Sequence, residues 1–161
     1  MIRLQATPPT MKRSILTVFL IAVASCGGSS GSSTPPGSGV VQDEAEGNDS
    51  PGSPQDLGTL APGATLSVRG DVTAFGADTF DVYRFEATAA TSVGLELEAE
   101  GAPADLDAWL ANESGQVLER FEDAGTANES GTFALAAGEV ALLVVTAADV
   151  DANYLVTLTG G

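Results

Sequence analysis

The feature that most constrains the fold is a series of short runs in which apolar and polar residues alternate. In the run 93–98, valine or leucine at odd positions alternates with glycine or glutamate at even positions. Successive side chains of a strand point to opposite faces, so this pattern predicts a β-strand with one buried face. No helix-length window after Val40 shows a convincing period of 3.6 residues. Further strand-type runs occur at 65–68, 80–85, 106–110, 117–118, 133–135 and 154–159.

One run has a different pattern, because residues 139–145 are continuously apolar after the first residue. This composition is typical of a central strand that is covered on both faces. Turn-forming residues separate the runs at 61–63, 101–103, 112–115 and 137–138. About eight strands in one domain predict an all-β, antiparallel β-sandwich. The main competing interpretation is helical, in the alanine-rich segments, but these segments are short or interrupted.

The N-terminal 25 residues have the pattern of a signal peptide. We expect translation to begin at Met11, followed by Lys12 and Arg13 and an apolar run at 15–24. This run is shorter than the roughly 20 residues that a membrane-spanning helix needs. Residues 23–26 (VASC) resemble the lipobox of bacterial lipoproteins, which implies that Cys26 is lipidated. Ordinary secretion with an incidental cysteine is the alternative.

The segment 27–39 contains only glycine, serine, proline and one threonine, and it predicts a flexible tether of roughly 20 Å reach. The domain organisation is therefore a signal peptide at 1–25, a lipidated cysteine with its tether at 26–39, and a folded domain at 40–161. By resemblance to enterobacterial sorting, Gly27 after the cysteine points to the outer membrane. The expected location is the bacterial cell envelope.

The charge of the chain is strongly unbalanced. The formal net charge is −16, and all 22 acidic residues follow Cys26, where the bases are three arginines. This balance disfavours nucleic acid and anionic lipid headgroups as partners, and it favours cations or basic partners. A surface that is acidic only for solubility is the alternative. Because the chain has no histidine, a bound metal would be held by oxygen, which indicates Ca²⁺ or Mg²⁺.

Three stretches resemble the bacterial pre-peptidase C-terminal domain. They are 46–51 (EGNDSP), 78–85 (DTFDVYRF) and 105–110 (DLDAWL) with a glycine at 115, and the resemblance extends over residues 43–161. The sequence departs from the family at Gly47, where proline is common, and at Ala108, where a larger residue is preferred. The resemblance implies a jelly-roll-like sandwich, related to the collagen-binding domains of clostridial collagenases and usually appended to secreted peptidases.

In those relatives an acidic N-terminal segment and a later aspartate pair bind Ca²⁺. The resemblance implies the following calcium ligands here: Glu44, Glu46, Asn48, Asp49, Asp78 and Asp81. The spacing agrees, since residues at i, i+2 and i+4 of an extended segment share one face. Five carboxylates gathered there would repel one another without a cation. The alternative is a solvated linker end at 44–49 with a turn at 48–51.

Catalysis is not expected from this sequence. The chain after Cys26 has neither histidine nor lysine to act as a base. Asp105 and Asp107 could be a metal site or a glycosidase pair, but the favoured interpretation is that they flank core Leu106. Trp109 and Tyr83 form a possible ligand surface, although a tryptophan in this position more often covers the second face of a sheet.

The sequence therefore predicts a non-catalytic, calcium-stabilised binding module displayed on a membrane-anchored lipoprotein. Its expected partners are the membrane, through the lipid, and an extracellular protein or polysaccharide. The alternative is a structural or stability domain without metal, formerly accessory to a secreted peptidase.

Overall fold

A computed structural model describes residues 39–76, 78–123, 125 and 128–161. The predicted signal peptide, Cys26 and the predicted tether up to residue 38 lie outside the described residues. Within the described ranges, no helix is long and apolar enough to span a membrane. The described chain forms ten strands: β1 (Val41–Asp43), β2 (Gln55–Leu60), β3 (Thr65–Val72), β4 (Asp81–Ala87), β5 (Thr91–Glu100), β6 (Leu106–Asn112), β7 (Val117–Phe121), β8 (Glu129–Leu135), β9 (Val140–Ala147) and β10 (Ala152–Gly160).

The strands form two five-stranded sheets that pack face to face. Sheet I has the order β1-β3-β10-β5-β8, and sheet II has the order β2-β4-β9-β6-β7. All neighbouring strands are antiparallel except β1 with β3 and β2 with β4, which are parallel. The predicted all-β sandwich is confirmed, with ten strands rather than about eight.

The alternating runs produce the core. In β5, Val93, Leu95 and Leu97 are buried, whereas Glu96 and Glu98 are exposed. The odd-numbered residues of this strand therefore face sheet II across the sandwich. The same alternation buries the even-numbered residues of β10 from 152 to 160. The buried face of β5 was predicted correctly, and for β10 the sequence predicted the alternating strand.

The continuously apolar run forms β9, which is the central strand of sheet II. Leu143 and Val145 belong to the main core. Leu142 packs instead in a small second cluster with Val82 and Ala111. Both faces of β9 are therefore covered, as the sequence predicts.

Strands β1 and β2 were not predicted. β1 has only three residues and lies at the edge of sheet I, so little of it is buried. In β2, Leu57 and Leu60 are both buried although they are three residues apart. A bulge between Asp56 and Gly58 permits this, with Gly58 in a left-handed conformation at φ 92°. The bulge breaks the two-residue period by which strands are recognised.

The segment after β1 crosses from one sheet to the other. At its start, the Glu44 amide donates to the Arg69 carbonyl of β3 at 2.8 Å. At its end, the Val82 amide of β4 donates to the Asn48 carbonyl at 3.0 Å. The acidic residues of this segment are thus held over one end of the sandwich, beside the beginning of β4.

Candidate metal centre

Three aspartates from separate parts of the chain meet at this end of the sandwich. One carboxylate oxygen from each of Asp49, Asp78 and Asp81 lies within 4.8 Å of the other two. Asp49 belongs to the crossing segment, Asp78 to the connection between β3 and β4, and Asp81 begins β4. Three close carboxylates repel one another, and hard oxygen donors are suited to a divalent cation. This acidic triad could hold a metal ion.

Asp81 has an oxygen that no donor in the described residues satisfies. The residue is fully buried, and its Oδ2 accepts a hydrogen bond from the Tyr154 hydroxyl at 2.6 Å. Among the described residues, its Oδ1 has no hydrogen-bond partner. A buried, unpartnered carboxylate oxygen costs free energy unless a proton or cation neutralises it. This arrangement fits a cation placed on the Oδ1 side.

Asn48 and Asp78 add further unpartnered polar atoms among the described residues. Asn48 is 2% exposed, and neither polar atom of its side chain has a hydrogen-bond partner in the described part of the chain. Oδ1 of Asp78 is also buried with no partner among the described residues. Asn48 directly precedes Asp49 of the acidic triad. Several oxygen atoms at one location therefore lack donors, and an oxygen-binding cation would satisfy them together.

Glu44 lies close to the triad at the inner side of the crossing segment. One of its carboxylate oxygens accepts a hydrogen bond from the Asp71 amide at 2.9 Å. Its charge contributes to raising the pKa of Asp78 and of Asp81. Gly70 provides the room, because a Cβ there would overlap both Oε2 of Glu44 and the Tyr154 hydroxyl.

Glu46 is more distant from the buried part of the site. It is exposed, and its charge raises the pKa of Asp78 less than burial, Glu44 and Asp49 do. All six residues implied by the resemblance therefore lie at the same end of the sandwich. The structure brings three together by distance, and the ligand role of each stays a prediction.

Burial and mutual repulsion change the proton affinity of the triad. Burial is the main cause that raises the pKa of Asp78 to about 6, with Glu44 and Asp49 adding to it. Burial also raises the pKa of Asp81 to about 9, with a further increase from Glu44 and an opposing decrease from the Tyr154 hydrogen bond. In the absence of metal, Asp81 is therefore protonated at neutral pH. A cation would compete with this proton.

The two tyrosines of the site are structural. Tyr83 and Tyr154 are fully buried, and their hydroxyl groups are hydrogen bonded to each other. Burial raises the pKa of both phenols, so both remain protonated. The prediction that Tyr83 contributes to a ligand surface is wrong, because its side chain is packed between the sheets. Tyr154 was missed, and the only signal for it was the hydroxyl of a tyrosine at a core position, which needs a partner.

Trp109 lies on the outer face of sheet II and is half-buried. Its ring packs against Phe80 with centroids 6.0 Å apart, and the Arg120 guanidinium lies 5.3 Å from its centroid. Its indole N–H donates to Glu122. With its ring packed in this way, Trp109 covers the outer face of the sheet, the alternative considered from sequence.

A second acidic group lies at the start of β6. Asp105 and Asp107 are half-buried on either side of buried Leu106, as expected from the sequence. Burial, followed by the charge of Asp105, raises the pKa of Asp107 to about 6. Glu129 is 1% exposed, and both its carboxylate oxygens accept from the Asp123 amide at 3.1 Å. The burial of Glu129 was not predicted from the sequence.

Comparison with known proteins gives structural similarities. No protein-family model matches the chain, and no curated protein sequence matches it. Among solved structures, it is similar to the pre-peptidase C-terminal domain of a Bacillus anthracis collagenase, with 19% identity and a TM-score of 0.48 over 66% of this chain and 97% of that one. It is also similar to PliG of Aeromonas hydrophila, a periplasmic inhibitor of g-type lysozyme, with 12% identity and a TM-score of 0.40 over 66% of this chain and 99% of that one. PliG of Salmonella Typhimurium has 12% identity and a TM-score of 0.38, over 76% of this chain and 100% of that one.

The raised pKa values predict that the metal-free protein loses stability as pH rises. A carboxyl group with a higher pKa in the folded state takes up a proton on folding. Its contribution to the free energy of unfolding is therefore complete below about pH 4 and is lost as the pH rises through the folded-state pKa. For Asp78 and Asp81 this window extends from about 4 to about 9. In EDTA, we expect the melting temperature to fall between pH 5 and pH 9. Asp81→Asn should remove most of the fall above pH 6, and an unchanged slope in that variant would contradict this assignment.

Gly70→Ala should disturb the site through its new methyl group. The methyl would displace the Glu44 carboxylate and the Tyr154 hydroxyl, and we expect a loss of about 1–3 kcal/mol in the free energy of unfolding, as for overpacking. Gly52→Ala is the matched control, since a Cβ there meets only Ser50 Oγ at 3.9 Å. Urea denaturation measures both variants. Equal stability of the two would show that the Gly70 contact is not restrictive.

Proposed function

We propose that the domain is a non-catalytic binding module in which a calcium ion holds the crossing segment 44–49 against the start of β4. The observation that carries this proposal is Oδ1 of Asp81, a fully buried carboxylate oxygen that has no donor among the described residues, inside a cluster of three carboxylates. A cation at that position would neutralise the cluster and satisfy this oxygen.

The donor set favours calcium over other metals. The six residues at this end of the sandwich offer only carboxylate and amide oxygens: Glu44, Glu46, Asn48, Asp49, Asp78 and Asp81. Ca²⁺ accepts six to eight oxygen ligands in flexible geometry, whereas Mg²⁺ requires a regular octahedron and keeps several waters. Zn²⁺ prefers nitrogen and sulfur, but the chain has no histidine and its single cysteine is Cys26.

Calcium binding would stabilise the fold as well as fill a site. The ligands would come from the crossing segment, from the β3–β4 connection and from β4, so one ion would join parts that are distant in sequence. Such a preformed site does not exist in the unfolded chain, and the binding free energy therefore contributes to folding. The second candidate is a stability domain without metal, favoured by the high pKa of Asp81, which allows a proton to neutralise the site.

A non-catalytic role rests on the residues available for chemistry. The chain after Cys26 contains no histidine or lysine. Its three arginines, Arg69, Arg84 and Arg120, pair with neighbouring carboxylates. The histidine or lysine that usually activates a nucleophile is therefore absent after Cys26, which supports a non-catalytic role. The acidic surface disfavours nucleic acid and favours a basic partner, and the proposed ligand is an extracellular protein or polysaccharide.

We further propose that the domain is displayed from a membrane. The support is the sequence alone: a signal peptide at 1–25 with its start at Met11, a lipobox ending at Cys26, and the tether 27–39. Lipidation at this cysteine would place the domain at the bacterial cell envelope, on the outer membrane. A tether of roughly 20 Å would keep it close to that surface.

Calcium should raise the melting temperature of the protein. At 1 mM Ca²⁺ and a Kd of about 10 μM, the gain is about 2.7 kcal/mol, which corresponds to about 10 °C for a domain of this size. Asp81→Asn should abolish the rise while preserving the fold in EDTA, because the neutral amide resembles the protonated carboxyl group. Glu98→Gln, on the exposed face of β5, should respond to calcium like the wild type. Differential scanning calorimetry with and without calcium measures these effects.

If the wild-type protein is indifferent to calcium at 1 mM, the metal-free stability domain is the correct function. If magnesium produces the same rise in melting temperature as calcium at equal concentration, the site does not have the flexible coordination by six to eight oxygens that favours calcium.

Lipid anchoring is tested in a bacterial host. We expect the wild-type protein to partition into the detergent phase of a Triton X-114 extract and Cys26→Ser to move to the aqueous phase. Ser25→Ala keeps a small residue before the cysteine and should partition like the wild type. Aqueous partitioning of the wild-type protein would support ordinary secretion instead.

A further inference from the structure

Two exposed apolar side chains lie at the end of the sandwich that carries the acidic triad. Phe75, between β3 and β4, is 81% exposed, and Val150, between β9 and β10, is 45% exposed. The two loops are adjacent, because the Ala74 amide donates to Oδ1 of Asp151 at 3.1 Å. Ala74 directly precedes Phe75, and Asp151 directly follows Val150. Phe75 has the highest exposure of any aromatic side chain in the described chain.

The loop that carries Phe75 is anchored at its base. Both the amide and the hydroxyl of Thr73 donate to the Asp78 carbonyl, at 2.8 Å and 2.7 Å. A second anchor is the Ala74–Asp151 hydrogen bond. Phe75 is therefore presented on a short loop fixed at its base, which lowers the entropy cost of binding through it.

The surroundings of these residues are acidic, and no base among the described residues compensates the charge. Asp149 and Asp151 flank Val150, Asp71 is exposed near the end of β3, and Asp78 closes the Phe75 loop. The arginines after Cys26 are engaged elsewhere: Arg69 with Glu100 at 2.7 Å, Arg84 with Asp56 and Glu113 at 3.7 Å, and Arg120 with Glu122 at 2.6 Å. The exposed apolar centre therefore has a negative rim.

We propose that Phe75 and Val150, with the aspartates around them, form a docking surface for a protein segment that presents an apolar side chain between arginines or lysines. An exposed aromatic residue is a typical centre of a binding surface, and a charged rim selects partners of opposite charge. Charge complementarity excludes the competing occupants. Anionic lipid headgroups are repelled by the aspartates, and a second copy would bring the same negative charge to the contact.

The docking surface shares a residue with the candidate metal centre. Asp78 contributes a carboxylate oxygen to the triad and its carbonyl to the base of the Phe75 loop. A bound cation would fix Asp78, and through it the loop. This part of the inference rests on the proposed calcium site: the ion would order the loop, but its positive charge would oppose a basic segment, so calcium should change the affinity much less than the loss of Phe75 does. The apolar surface itself does not depend on the ion.

The test uses the full chain and a fluorescent synthetic peptide with one tryptophan between two pairs of arginines. Fluorescence anisotropy in 1 mM Ca²⁺ should show saturable binding that weakens at least tenfold in Phe75→Ala. Leu118→Ala is the matched control, because Leu118 is 43% exposed on β7, away from these loops, and its affinity should stay within twofold of the wild type. A peptide with glutamines in place of the arginines should bind at least tenfold more weakly.

Several results would overturn the docking surface. These are no binding of the arginine peptide, equal binding by Phe75→Ala, or equal binding of the glutamine peptide. Phe75-dependent binding to phosphatidylcholine vesicles, in preference to the peptide, would assign the surface to a membrane instead. Self-association through Phe75 in sedimentation velocity would assign it to a second copy.

The two proposals fail in different ways. If the melting temperature responds to calcium but Phe75→Ala changes nothing, the docking surface is wrong and the metal site stands. If peptide binding depends on Phe75 equally in calcium and in EDTA, and calcium leaves the melting temperature unchanged, the docking surface stands and the calcium site is wrong.

Discussion

The repulsion among Asp49, Asp78 and Asp81 is the constraint on which this end of the molecule depends. One carboxylate oxygen from each lies within 4.8 Å of the others, and one oxygen of Asp81 is buried with no donor in the described part of the chain. Such a group must be neutralised to be stable in a folded protein. A proton neutralises Asp81 at neutral pH because its pKa is raised. A cation would neutralise the cluster more completely, since it would satisfy several oxygens together.

This neutralisation also affects how the two sheets are joined. Asp81 and Tyr83 lie on β4 of sheet II, and Tyr154 lies on β10 of sheet I. Their hydrogen bonds form a continuous buried link between the sheets. The crossing segment makes a second link, since it bonds to β3 at one end and to β4 at the other. The charge at Asp81 is therefore connected to the packing of the sandwich.

The fold could be predicted from sequence where one face of a strand is buried and the other exposed. β5 and β10 follow this rule. β9 follows the rule that a continuously apolar run forms a central strand covered on both faces. β2 could not be predicted because the bulge at Gly58 breaks the alternation, and three-residue β1 depends on its pairing with β3. The acidic residues of the site were predicted from spacing and resemblance. The exposure of Tyr83 was misjudged, although its shared face with Phe85 already indicated burial, and Tyr154 resembled any other core residue.

The position of β1 has a mechanical consequence. In a chain held by its N-terminus, a pulling force enters the fold at β1 and is resisted first by its three residue pairs with β3. If these pairs separate, the load passes to the crossing segment and then to Asp49. An ion shared between Asp49, Asp78 and Asp81 would hold the crossing segment to β4. The coordination bonds would then resist the force before it reaches the core.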